Sequence, residues 1–332
     1  RTRSLRVRPG SLVEHAFGGE RAGARPCAGH DDGRIVMLDV RRASFRSMGT
    51  DVTVIVHGDA GPFGRAVAVV RAVFEREDRR FSRFRADSEL SHVNARSGRW
   101  TEVSAPFADV VRLALAGWFH SRGRFDPTVL DAVIAAGYDR DFDEVLAGGR
   151  GALRPPMPCG RAAEVSVTEG RLRLPEGVGL DLGGIAKGWT ADLAAETVVG
   201  GGLEWVLVNA GGDLRLAGSP PEGADVGLED PEVADAMGGR LILTERALAT
   251  SSVTRRAWGE GLHHVIDPAT ARPANGAVIQ ATAWAPTCAQ AEIHATQALL
   301  QGPPFLERAA AILWLADGRI LTNLVSEEVL GA

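Results

Sequence analysis

Apolar and polar positions alternate over residues 51–57 (DVTVIVH), a β-branched run that predicts a half-buried strand turning at 58–62. From 63 to 81 the period lengthens. Val67, Val70, Val73 and Phe74 fall on one helical face, with Arg and Glu on the other. Residues 105–121 repeat that pattern through Phe107, Val110, Val111, Leu113, Leu115 and Trp118, and Arg122-Gly123 supplies a glycine stop. Residues 129–136 and 287–300 predict two more helices. Residues 205–210 (WVLVNA), 214–218, 240–243 and 278–286 predict strands, and 164–167 with 170–174 a hairpin. In 309–324 a short helix is expected before a terminal hairpin that turns at Asp317-Gly318. Residues 140–160 and 220–237 read as loops, being rich in Gly, Pro and Asp.

The stretch 179–188 (GLDLGGIAKG) reads as a short buried strand, a glycine turn and the start of a helix that continues to about 199. Gly183 and Gly184 let backbone approach a ligand, and a helix start offers unpaired N–H groups to anions. A nucleotide with its phosphates suits such a place, and so does a plain strand-to-helix connection with a surface lysine. Neither the G-x-G-x-x-G fingerprint nor a Walker loop is present. Met48-Gly49 lies near the entry to the first strand. The arginine-rich 81–85 (FSRFR) is either an anion or ring site or a solvated turn. Strands and helices mix without a regular βαβ repeat, which predicts an α+β fold of mixed, largely antiparallel sheets with packed helices. It occupies residues 36–332, behind a flexible tail at 1–35 that buries little apolar surface.

Composition narrows the field. With 332 residues, 45% of them apolar and 24% charged, the chain can build a sizeable core. A net charge of -5 gives no general pull toward nucleic acid or anionic membrane, so an anionic ligand needs a local site with a cation. Cys27, Cys159 and Cys288 have neither metal spacing nor the look of a disulfide framework. No apolar run reaches the roughly 18 residues of a membrane span. No apolar stretch follows the N-terminal arginines, so a cytoplasmic location is expected.

Six stretches in order are MGT (48–50), FRADSELSHVN (84–94), DLGGIAKG (181–188), NAGGD (209–213), HVIDP (264–268) and AEIHAT (291–296), with 125–138 a weaker seventh. Together they resemble the ApbE-type FAD:protein FMN transferases. Such enzymes cleave the FAD pyrophosphate, release AMP and leave FMN as a phosphoester on a Thr or Ser of a target flavoprotein. The resemblance implies that Met48, Phe84, Phe125 and Asp126 surround the flavin nucleotide, and that Asp181, Lys187 and Ile266 meet FAD. It makes the Gly184 carbonyl, Glu292 and Thr296 ligands of Mg²⁺. Glu292 stands where the family usually has Asp, and Ser252-Val253-Thr254 replaces a Gly-Asp-Tyr type segment.

The chemistry agrees. Mg²⁺ takes hard oxygen ligands and keeps waters, so a carboxylate, a hydroxyl and a carbonyl suffice. Lys187 adds a point charge for the same anion or for a nearby carboxylate. His264, with Asp267 as orienter or second base, is the nearest candidate for deprotonating the acceptor hydroxyl. A strand-end histidine bonded to backbone is the other reading of His264. The expected partners are FAD and an acceptor flavoprotein. The alternatives are a Mg²⁺-dependent FAD pyrophosphatase and a flavin-binding protein without turnover.

Overall fold

Met48 and Gly49 form the two-residue tip of a hairpin between strands Val40–Ser47 and Thr50–His57, and both have positive φ (49° and 67°). That conformation matches the right-handed twist of paired strands and places glycine at the second position. The segment before the expected 51–57 strand is thus its antiparallel partner, Val40–Ser47, a strand that the sequence pattern did not announce. The computed structural model describes residues 40–57, 59–148, 153–220, 223–233, 236–244 and 246–324, with short strands at Arg3–Leu5, Ala28–Asp31 and Arg34–Met37. The expected N-terminal tail otherwise lies outside the described residues.

The hairpin closes one end of a nine-stranded sheet in which all pairings are antiparallel. From the other end its order is Arg3–Leu5, Ile320–Thr322, Ala311–Leu315, Val278–Ala285, Ala247–Ser252, Leu214–Ala217, Val206–Ala210, Thr50–His57 and Val40–Ser47. The α+β reading holds. Alternation sorts the sheet's two faces. Val52, Val54, Val56, Val206 and Val208 are buried on the helix side, each contributing on the order of 1.5–3 kcal/mol by leaving water. Leu207, Leu216, Leu248, Ile312 and Trp314 face the other way. They lie under a separate hairpin, Ala224–Glu229 with Met237–Leu243.

Helices α1 (Ala60–Phe81), α2 (Glu89–Asn94), α3 (Ala105–His120), α4 (Leu130–Ala135), α5 (Phe142–Gly148), α6 (Ala186–Gly200) and α7 (Cys288–Gln301) follow in chain order. Of these, α1, α6 and α7 pack on the sheet's helix side. Contact between α6 and α7 is close enough that a Cβ on Gly188 would sit 2.6 Å from the Cys288 carbonyl, so any larger residue there pushes the helices apart. Asp192 of α6 caps α7, accepting from Cys288 N at 2.8 Å and Ala289 N at 3.0 Å. Those two donors have no partner within their own helix.

Four other expectations need correction. Residues 179–182 form no strand. They run as a buried irregular segment whose backbone is held by a side chain: Asn94 donates to Leu180 O at 2.9 Å and accepts from Leu180 N at 2.8 Å. Part of the 140–160 loop is α5, and part of the 220–237 loop is the Ala224–Glu229 strand. Helix near 309 is absent; its place is taken earlier by a 3₁₀ turn at Pro303–Glu307. Two short pairings lie near the HVIDP stretch, Leu262–His263 with Ala257–Gly259 and Ile266–Asp267 with Arg272–Pro273. Cys159 and Cys288 are free thiols. No helix among the described residues is long and apolar enough to cross a membrane.

Candidate active site

Glu292 projects from α7 onto the start of α6. Its Oε2 accepts from Gly188 N at 2.9 Å, so α7 supplies the cap that α6 lacks locally, since Ile185 at its N-terminus has no capping side chain. Its Oε1 meets Lys187 Nζ, which also lies 2.9 Å from Asp213 Oδ2 and donates to Gly183 O at 3.2 Å. The side chains of Lys187, Asp213 and Glu292 are 14%, 4% and 4% exposed, so one cation is enclosed between two carboxylates. Burial pulls the Lys187 ammonium down, but Asp213 and Glu292 outweigh it and hold it above its ordinary value. Burial pushes the Glu292 carboxyl up, as does the Asp213 charge. One turn along α7, Thr296 Oγ1 shares a hydrogen bond of 3.1 Å with Ser251 Oγ and lies against Gly184.

This cluster forms one wall of a cleft of about 1090 Å³. Met48, Phe84, Phe125, Asp126, Asp181 and Ile266 line it, as do Gly184, Lys187, His264, Glu292 and Thr296. Eleven of the twelve sequence-predicted site residues thus meet in one place, although they come from segments up to 248 positions apart (296 minus 48). The twelfth, Asp267, is not among the lining residues. Its Oδ1 accepts from Ala269 N at 3.0 Å and it lies 4.0 Å from Arg124, so it shapes the following turn.

The two histidines of the 264–268 motif region divide the roles proposed for one. His263 is the backbone-bonded one, donating from Nε2 to Ala274 O at 2.9 Å. His264 lines the cleft, and its buried Nδ1 has no hydrogen-bond partner. Burial, then the charges of Arg256 and Lys187, hold its imidazole well below the usual range. It is therefore neutral near pH 7. Asp126 is similar: Oδ1 accepts from Thr128 N (2.7 Å) and Thr128 Oγ1 (2.5 Å), while the buried Oδ2 has no partner. Its carboxyl is raised by burial against the pull of those bonds.

A second part of the lining is aromatic. The Arg83 guanidinium lies against both Phe84 and Tyr138, its carbon 4.1 and 4.4 Å from ring centroids that are themselves 5.5 Å apart. Its Nε is 3.1 Å from Asp181 Oδ2 and its Nη1 donates to Tyr138 O at 2.9 Å. Trp258 lies behind Tyr138, with centroids 5.1 Å apart. In the arginine-rich 81–85 segment, Arg83 is therefore not a solvated turn residue: it is packed against two rings and lines the cleft. Asp213, Arg83, Ser251 and Arg256 were not singled out from the sequence. For Asp213 the signal was at hand, since it closes the NAGGD turn whose Gly211 and Gly212 both adopt positive φ.

A family model, that of the ApbE family, matches residues 48–313. The chain belongs to the ApbE family. Among curated relatives, a FAD:protein FMN transferase of Vibrio cholerae is 28% identical over 249 residues, covering 72% of this chain and 73% of its own length. One of Rhodobacter capsulatus is 30% identical over 244 residues, 71% of this chain, but the match spans only 46% of that longer relative. The ApbE protein of Thermotoga maritima superposes with a TM-score of 0.76 at 23% identity, covering 85% of this chain and 96% of that one. The flavin transferase ApbE of Vibrio cholerae gives 0.74 at 23%, covering 87% and 98%. At these identities the structural likeness shows the fold alone.

Proposed function

We propose that this chain is a Mg²⁺-dependent FAD:protein FMN transferase. It cleaves the FAD pyrophosphate and joins FMN to a Thr or Ser hydroxyl of an acceptor flavoprotein. The observation that carries this reading is the enclosed Lys187–Asp213–Glu292 cluster beside Gly183-Gly184, in one cleft with an aromatic patch. Curated relatives named for this activity support it. Residues 36–332 are its catalytic domain.

An ion suits the rim between the helices. Among the described residues no three His, Cys, Asp or Glu side chains are arranged to hold a metal by themselves. What the rim offers is the donor set of a hard cation: the Gly184 carbonyl, the Thr296 hydroxyl and the Glu292 carboxylate, with Asp213 behind Lys187. The cluster's formal charge, two carboxylates against one ammonium, is −1 and favours a divalent cation. Held by these residues, Mg²⁺ would supply Lewis-acid polarisation of the pyrophosphate oxygens and positive charge to offset that of the transition state.

The chain's own residues do the rest. Lys187 holds both carboxylates in register and adds positive charge near the pyrophosphate. Phe84, Tyr138, Met48 and Ile266 receive the planar rings, and Phe125 and Asp126 border the nucleotide. His264 Nδ1 accepts the proton of the acceptor hydroxyl as its oxygen bonds to the FMN phosphorus. The bond from that phosphorus to the bridging oxygen breaks, and AMP departs with that oxygen. Asp267 supports the turn after His264 rather than relaying its proton.

The test is incubation with FAD, Mg²⁺ and an acceptor protein. Covalent flavin fluorescence on a denaturing gel with one AMP per adduct is expected. AMP and free FMN without adduct would make the chain a pyrophosphatase, and intact FAD would make it a binding protein.

A further inference from the structure

Five consecutive residues, Asp225, Val226, Gly227, Leu228 and Glu229, line the cleft, and none of their partner strand Met237–Leu243 does. Alternate side chains of a strand point to opposite faces, so an unbroken run means that the cleft meets this strand along its edge. On Val40–Ser47 the lining residues Arg42, Ser44 and Arg46 alternate, so there the cleft crosses a strand face. Val226 and Leu228 are buried in the apolar layer over the sheet and fix the edge in position. Among the described residues this edge has no strand partner, since Ala224–Glu229 pairs only with Met237–Leu243 on its other side. One of its carbonyls is taken, with Gln280 Nε2 donating to Glu229 O at 2.9 Å. The other backbone groups facing the cleft have no strand to bond to, and an open strand edge is a template for another chain.

Space and charge say what suits it. The cleft, about 1090 Å³, lies just above the roughly 300–1,000 Å³ typical of a ligand pocket and runs from the charged cluster to this edge. The carboxylates along the edge are already paired, Asp225 with Arg240 and Glu229 with Arg255. Arg46 is held by Asp143 and Asp51. Arg42 is exposed in the same cleft and has no ion pair among the described residues.

We propose that Ala224–Glu229 is the docking edge for the acceptor. An extended acceptor segment adds to it as a further strand, sets an acidic residue on Arg42, and carries its hydroxyl residue along the cleft toward Lys187. Backbone bonding then supplies affinity with little demand on sequence, as in other strand-addition complexes. This rests on the transferase reading above.

The test is amide hydrogen exchange on the full chain with FAD alone, and with FAD plus the protein that the Vibrio cholerae relative modifies. Exchange across residues 224–229 is expected to slow by roughly tenfold or more with acceptor and not with FAD alone. A second measurement uses synthetic peptides spanning the acceptor hydroxyl, N-methylated on one or the other alternating set of backbone nitrogens. One set is expected to lower kcat/KM by roughly tenfold and the other to leave it unchanged, because alternate residues point their N–H groups to opposite sides. Flavin transfer without protection at 224–229, or equal sensitivity to both methylated sets, overturns the docking edge and leaves the transferase standing. Neither transfer nor binding overturns the transferase reading and the docking with it. Protection already present in the free chain and lost on deleting residues 1–39 assigns the edge to the chain's own N-terminal segment and overturns the proposal.

Discussion

The two walls of the cleft are built on different physics. On the α6–α7 side, Lys187 is buried between Asp213 and Glu292, so the wall is held by charges that water cannot screen. In the aromatic patch, Arg83 packs on Phe84 and Tyr138 with Trp258 behind Tyr138, and this wall is held by ring packing and one ion pair to Asp181. The first wall is brittle: remove one partner and a buried charge is left alone. The second degrades gradually, ring by ring. A site that binds a flavin while moving phosphoryl charge needs both kinds.

The change that breaks this contrast most is Lys187→Met. It leaves two buried carboxylates with no cation, a loss expected to cost about 3–5 kcal/mol of unfolding free energy. Denaturant titration checks it. Millimolar Mg²⁺ is expected to raise the melting temperature of this variant more than that of the wild type, because the ion takes over the missing positive charge. Equal shifts would separate the ion from this cluster.

Arg83→Ala tests the aromatic wall. It removes the pair with Asp181 and the packing against two rings, and FAD affinity is expected to fall about tenfold, or about 1.4 kcal/mol. Fluorescence quenching of FAD measures it. Phe84→Ala is milder, since this ring is already 38% exposed in the free chain. FAD affinity is expected to drop about 3- to 10-fold, the worth of one aromatic pairing, while stability changes by less than about 1 kcal/mol. At the bottom stands Arg240→Ala. Its pair with Asp225 is half exposed on both sides, and stability is expected to stay within about 0.5 kcal/mol of wild type. An Arg240 effect as large as that of Lys187 would show that burial does not separate the two kinds of pair.

Much of this was legible beforehand where local pattern decides. The alternation at 51–57 and the helical spacing at 63–81 and 105–121 lie within a few residues of Thr50–His57, Ala60–Phe81 and Ala105–His120. Eleven of the residues picked out by the ordered motifs line one cleft. What stayed hidden depends on distant partners. No local rule says that Lys187 meets a residue 105 positions away, or that Asn94 holds the backbone of Leu180 and so replaces a strand. Arg83 looked like one arginine among several until Tyr138 supplied its second ring. The Ala224–Glu229 strand was overlooked although its apolar residues alternate at 224, 226 and 228, because the surrounding Gly and Pro spoke for a loop.

The most direct measurement is a crystal structure of the chain with FAD and Mn²⁺ in place of Mg²⁺. Anomalous density is expected between the Gly184 carbonyl, Glu292 and the Thr296 hydroxyl, with the pyrophosphate on the ion and the flavin rings against Phe84 and Tyr138. Density ligated by none of those three residues, with FAD well ordered in the cleft, would contradict the account.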